Sequence, residues 1–480
     1  MCSQLIKIFP KNIEPCVLLA QIEVAEGRYS LAINALKKAN KRNPKNTDVQ
    51  VMEGDIYMQS NHPSKAEKSY QLALRSAPKN SMLLMRLAAA LQMQPKKIDT
   101  AIALYQSAVT DNPNDANAHY NLGTALKRKH NFPATIAAYK KAAELSPGDI
   151  QLHASLGNLL YEIGDFEEAA VQLEKLLMMQ PDVALTLDQL AHANKRLKRP
   201  EASLKAAERL VEVTQASPQG LRALAAAKIM SGDYASALKV CELGLDKRPK
   251  DRRLLSEKTV ALSGNDERSS ANSLFNIDEL LAVTQIDPPD GYGTMAEFNQ
   301  AIIKHVNHHA NLDFSGVSHT CHLGSTSNDG VFVNPKGPLK YLSDQIHKAV
   351  TDYRKKINSI ELDHPWMNHL PSISELAISG WVTKLSNQGY QTGHIHDTAW
   401  ISGVYYVNLP SNRDKHAGSI EFGRAPYFYP DGDQGQIKII DPREGTLVLF
   451  PSYFYHRTIP FESQHERITI AFDFRTDDFL

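Results

Sequence analysis

The chain is 480 residues long, a length that suggests about two to four domains and excludes one small one. Lysine plus arginine number 53 and aspartate plus glutamate 53, so the formal net charge is +0 and no global field draws in phosphate backbones or acidic lipid. Hydrophobic residues at 42% and charged residues at 22% describe an ordinary globular chain and exclude wholesale disorder.

The N-terminus, MCSQLIKIFPKN, has an apolar stretch too short for a signal peptide. No uncharged apolar run elsewhere approaches the roughly 18–20 residues of a membrane span. Cys2, Cys16, Cys241 and Cys321 lie far apart and form no CxxC pair, so neither a disulfide framework nor a thiolate zinc site is expected. A cytoplasmic protein without membrane or nucleic-acid partners is the expectation.

Prolines then set a period. Pro10, Pro44, Pro78, Pro113, Pro147 and Pro181 are spaced 34, 34, 35, 34 and 34, and Pro218 and Pro249 continue the series at 37 and 31. Most stand in helix-ending contexts such as Asn43-Pro44-Lys45-Asn46 and Asn112-Pro113-Asn114-Asp115. Proline cannot continue a helix, and Asn, Asp or Ser beside it starts the next. Gly54, Gly123 and Gly157 each lie 24 residues before a repeat proline, and Ala32, Ala66, Ala101, Ala169 and Ala237 each lie 12 before one. Small residues at fixed offsets mark where two antiparallel helices approach closely.

This pattern resembles the tetratricopeptide repeat, a helix–turn–helix unit of 34 residues, and about seven units fit residues 12–250. The clearest copies run from Tyr120-Asn121-Leu122-Gly123 to Pro147 and from Leu156-Gly157 through Gly164-Asp165-Phe166 to Pro181. Such arrays present a concave groove to peptides or protein segments, and the resemblance implies that Asn121 and Asn158 face it. The chain begins near the end of a repeat, so a short or lost N-terminal cap is expected. The stretch Arg252 to Leu262 reads as the polar-faced terminal cap such arrays need.

A linker composition follows, Gly264-Asn265-Asp266-Glu267-Arg268-Ser269-Ser270. The expected division is an α-solenoid over 1–262, a linker over 263–273 and a second domain over 274–480, which contains all three tryptophans. Helical spacing persists at 295–303 and 339–357. From about residue 375 the period drops to two, in runs at 379–385, 401–407, 419–422, 436–440, 446–450 and 467–472 separated by turn residues. Several short strands at this spacing predict a β sandwich or barrel.

Within that β region stands Gly393-His394-Ile395-His396-Asp397. On a strand, residues i and i+2 share a face, so His394 and His396 would reach one ion. His456 stands just past another strand, and Arg467 opens the last. Neutral imidazoles suit iron, zinc and copper, and three on one face leave positions open for other ligands.

The segment from His394 to Arg467 resembles the double-stranded β-helix of the 2-oxoglutarate- and Fe(II)-dependent oxygenases, in particular a bacterial branch related to the prolyl hydroxylases and often fused to tetratricopeptide repeats. The resemblance rests on His394-Ile395-His396-Asp397 with 400–407, Gly445-Thr446-Leu447-Val448-Leu449-Phe450-Pro451-Ser452 with 456–461, and Arg467-Ile468-Thr469-Ile470-Ala471-Phe472. It implies that His394 and His456 ligate Fe(II), that Arg467 grips the distal carboxylate of 2-oxoglutarate, and that Thr469 and Tyr406 add hydroxyl hydrogen bonds. O2 would be the second cosubstrate, with ascorbate an optional reductant. The wider superfamily has a carboxylate two residues after the first histidine, whereas this chain has His396 there and Asp397 one further. Strand parity favours His396 as third ligand; a local bulge would substitute Asp397.

Other candidates rank lower. His305, His308 and His309 end a helix, where the dipole favours histidine, and His319-Thr320-Cys321-His322 lacks a second half with zinc spacing. The reading that results is a hydroxylase whose solenoid recruits a protein or peptide. Two alternatives stay open: an interaction scaffold with an inactive metal-binding sensor domain, and a three-histidine, cupin-like oxygenase that does not use 2-oxoglutarate. The oligomeric state is not legible.

Overall fold

The structure is a computed structural model describing residues 11–309, 312–314, 320–410, 416–430 and 432–476. Cys2, Pro10 and the segment on which the expected N-terminal cap rests lie outside the described residues, as does His319. Contact clustering divides the chain into two compact units, Met1–Leu159 and Leu160–Leu480.

Helices dominate to residue 264 as antiparallel pairs, from Glu14–Ala25 with Tyr29–Arg42 to Pro218–Met230 with Tyr234–Lys247. The residue two after a repeat proline caps the next helix. The side chains of Asn46, Asn80, Asp115 and Asp251 accept from the backbone N–H groups of Val49, Leu83, Ala118 and Leu254. The periodic alanines Ala32, Ala66, Ala101, Ala169 and Ala237 are all 0% exposed. Glycine is required where an aromatic ring crosses the partner helix: a Cβ on Gly123 would lie 2.5 Å from Tyr139.

The described residues of the second unit contain nine strands: β1 Ala282–Gln285, β2 Cys321–Thr326, β3 Ala377–Gln391, β4 Ile401–Asn408, β5 Ile420–Arg424, β6 Asp433–Ile440, β7 Thr446–Pro451, β8 His456–Thr458 and β9 Arg467–Arg475. They form a six-stranded sheet, β1-β7-β4-β9-β3-β2, and a three-stranded sheet, β6-β5-β8. All named pairings are antiparallel, the arrangement of a jelly roll. Each of the six period-two runs lies on one of these strands. The helices Met295–Asn307 and Pro338–Asn358 cover the outer face of the larger sheet, where the Tyr405 hydroxyl donates to Asn299 Oδ1 at 2.7 Å.

Within the segment 263–273, Arg268–Phe275 form a helix with Leu274 and Phe275 buried. The preceding helix, Arg252–Gly264, shows no polar outer face: ten of its residues are buried. Its polar side chains are consumed by the β strands and their loops. Gln434 donates to Ser256 Oγ at 3.0 Å, Ser263 donates to Asp433 at 2.7 Å, and the Tyr455 hydroxyl donates to Glu257 at 3.3 Å. One hydrophobic cluster accordingly runs from Ile229 and Leu255 through Phe275 and Trp366 to Phe472 and Phe474.

Replacing Gly123→Val should lower stability by about 2 kcal/mol, because overpacking at Tyr139 outweighs the few tenths gained in helix propensity. The urea midpoint measures it, and an unchanged or higher midpoint would refute the close approach.

Candidate metal centre

The alternation of β9 builds the floor of the site. Ile468, Ile470, Phe472 and Phe474 enter the hydrophobic core, so Arg467, Thr469, Ala471 and Asp473 face the other way. Across the ladder, Tyr406, Val404 and Ser402 of β4 stand opposite Thr469, Ala471 and Asp473. Thr383 and Trp381 of β3 flank Thr469 and Ala471 on the other side. Tyr406, Thr469 and Arg467, 0%, 2% and 2% exposed, thereby share one cavity with His394, His396 and His456. The Arg467 guanidinium lies 5.1 Å from the Tyr406 ring centre, and its Nε donates to the Gly418 carbonyl at 2.9 Å.

The histidines come from two segments locked together by backbone. His394 and His456 exchange both N–H···O bonds at 3.1 Å, and the His396 N–H donates to the Ser452 carbonyl at 3.0 Å. The Ser452 N–H in turn donates to Trp400 at 3.2 Å. The three ring centres are 4.3–5.2 Å apart, and one ligand atom from each lies within 4.8 Å of the others.

Every Nδ1 is already engaged. His394 Nδ1 lies 2.7 Å from the Thr392 carbonyl, and His456 Nδ1 lies 3.0 Å from that of Phe454. A carbonyl can only accept, so both nitrogens carry their hydrogen and both Nε2 lone pairs are free for a metal. His396 Nδ1 donates to Asp473 Oδ1 at 2.6 Å, and that oxygen also accepts from Ser402 at 2.7 Å. Burial opposes the Asp473 charge, yet His396 and these hydrogen bonds hold its pKa below the usual carboxylate range. Burial first, then the neighbouring imidazoles, push His394 down to about 4 and His456 well below its ordinary value. Both are neutral at physiological pH, the form that ligates.

Asp397 stands apart from this group. The chain turns after His396, and Asp397 pairs with Arg253 Nη2 at 2.8 Å, while Arg252 stacks 4.5 Å from the Trp400 ring centre. Asn121 and Asn158 lie partly exposed on the first helices of their pairs. His308 caps its helix through Lys304 at 2.8 Å, and His322 stacks on Tyr390 at 4.7 Å. No motif marks Asp473 in the sequence, although its even spacing of six residues from Arg467 and four from Thr469 places it on their face.

The residues present fit a divalent metal: three imidazoles converge, His456 buried and His394 and His396 half-buried, with a carboxylate one hydrogen bond behind His396. A buried guanidinium and two hydroxyl residues, Arg467, Tyr406 and Thr469, line the same cavity, donors of the kind that bind a carboxylate.

Residues 379–473 match the family described as "Putative 2OG-Fe(II) oxygenase". Residues 23–91 and 128–190 match one tetratricopeptide repeat family, and residues 93–129 match another. No curated protein matches the chain. Among solved structures, the C-terminal part of a TPR repeat-containing protein from Cytophaga hutchinsonii is 18% identical, covering 50% of this chain and 97% of its own, with a TM-score of 0.42. MamA from Desulfovibrio magneticus RS-1 is 22% identical over 35% of this chain and 95% of its own, with a TM-score of 0.33. YrrB, described as a TPR protein with an unusual peptide-binding site, is 22% identical over 40% and 97%, also at 0.33. The chain thus joins tetratricopeptide repeats to a domain matching that oxygenase family.

Two substitutions separate the carboxylates. Asp473→Asn should weaken Co(II) binding about 10–100-fold by loosening His396, whereas Asp397→Asn should leave it within about twofold, since an exposed ion pair contributes little. Competition titration against a chromophoric chelator reads both, and the opposite ranking would reinstate Asp397 as a ligand.

Proposed function

We propose that this fusion of tetratricopeptide repeats with an oxygenase-family domain is an Fe(II)- and 2-oxoglutarate-dependent hydroxylase acting on a protein or peptide in the cytoplasm. The observation that carries the reading is the sharing of one cavity by three imidazoles, each with Nδ1 occupied, and the buried Arg467. The chemistry such a centre supplies when loaded is O2-dependent hydroxylation of a C–H bond, with 2-oxoglutarate converted to succinate and CO2.

His394, His396 and His456 would hold the iron. Arg467 would hold the distal carboxylate of 2-oxoglutarate through paired N–H donors, with Tyr406 and Thr469 contributing hydroxyls. Trp381, Gln391, His394 and His396 border both this inner cavity and a second, more open one of about 290 Å³ that Asp329 and Arg475 also line. Substrate would enter by the open side while the buried strands keep water from the inner one. The repeat array would supply the remote grip, in a groove that includes Asn121 and Asn158. Location in the cytoplasm accords with the free, buried thiols of Cys16 and Cys241.

Anaerobic titration of the protein with Fe(II) and then 2-oxoglutarate tests the assignment. A visible metal-to-ligand charge-transfer band is expected, lost in His394→Ala and shifted at least about tenfold to higher 2-oxoglutarate concentration in Arg467→Ala, the loss of roughly 1.4 kcal/mol or more from a charge-assisted pair. Iron binding without a band would favour three-histidine chemistry independent of 2-oxoglutarate. Absence of both would leave an interaction scaffold.

A further inference from the structure

A second cavity, of about 510 Å³, opens on the first helices of the last repeats, Ala184–Arg196 and Pro218–Met230, and on Arg252–Gly264. Cations dominate its wall: Lys195, Arg222, Arg248 and Arg253 face a single lining carboxylate, Asp188. Most of these charges are already committed. Arg222 pairs with the buried Asp251 at 2.6 Å, Arg253 pairs with Asp397 at 2.8 Å, and Asp188 accepts from Gln219 at 2.8 Å.

Lys195 differs. Its residue is 9% exposed, and among the described residues its ammonium makes no hydrogen bond or ion pair; its close neighbour is the Phe428 ring, 5.0 Å away. Burial, with Arg253 adding repulsion, pushes its pKa down to about 8, although Glu257 and Asp188 pull the other way. The ammonium thus faces the cavity with no hydrogen-bonding acceptor among the described residues, and an anionic guest would supply one.

We propose that this cavity binds an acidic side chain of the polypeptide substrate, with Lys195 as its principal contact. The proposal rests on the reading of the repeat array as a polypeptide-binding surface and supplies the chemistry of what it binds. The cavity is larger than one carboxylate fills and lies in the range of sites that enclose a ligand, which favours a chain segment over a free small anion. Arg253 gives the guest a connection to the catalytic loop, because it lines the cavity and pairs with Asp397, the residue after His396.

Fluorescence anisotropy of the full chain with fluorescein-labelled hexaglutamate and hexaglutamine, without iron or 2-oxoglutarate, tests this. Hexaglutamate should bind, hexaglutamine should not, and Lys195→Met should weaken binding at least about tenfold, equivalent to about 1.4 kcal/mol. Lys205→Met, which removes the same charge from an exposed position, should change it less than about twofold. Equal binding of hexaglutamine, undiminished binding by a folded Lys195→Met variant, or Lys195-dependent binding of a single-stranded oligonucleotide or inorganic phosphate in place of hexaglutamate would overturn the proposal. Because the assay contains neither cofactor, its failure leaves the hydroxylase reading standing, and a missing charge-transfer band leaves this one standing.

Discussion

Three imidazoles share one cavity, and each must find a partner for two ring nitrogens. The site follows from how the chain meets that demand. His394 and His456 each use the carbonyl two residues earlier, and the same two residues are bonded to each other through their backbones. Holding the strands together and aiming the rings are therefore one set of interactions. These bonds leave each Nε2 available, and one ligand atom from each ring lies within 4.8 Å of the others, a spacing that fits a divalent cation.

His396 meets the demand differently, through Asp473. A carboxylate oxygen sits behind this imidazole, 2.6 Å from Nδ1. Its negative charge still reaches the centre, attenuated by one ring, and it raises the basicity of that ring. Ser402 and Arg475 hold the carboxylate in turn. The helix Arg252–Gly264 closes the other side, gripping residues adjacent to two of the three histidines: Asp397 beside His396 and Tyr455 beside His456. The end of the repeat array is thus part of the scaffold of the site, which gives a physical reason for finding both in one compact unit.

Much of this was legible because two periods were. Prolines spaced by 34 residues located the helix pairs, and the buried alanines and the Gly123–Tyr139 contact are the packing behind that spacing. Period-two runs located the strands, and parity grouped Tyr406 with the histidines even though a turn at Asp397-Thr398 separates them. That turn is what sends Asp397 outward. The same parity on β9 would have found Asp473, but no motif drew attention to it. The pairings of Arg253, Glu257 and Ser256 were not legible: each joins a repetitive helix to a loop or strand residue more than 140 residues away, and nothing in helical spacing announces such a partner. For that reason the helix Arg252–Gly264 read as a solvent-facing cap.

The most direct test of the account is metal-edge X-ray absorption on the Co(II)-loaded protein. Three imidazoles in the first coordination sphere, reduced to two in His396→Ala, is the predicted outcome. Two imidazoles and a carboxylate in the unaltered protein, or failure to bind the ion, would contradict it.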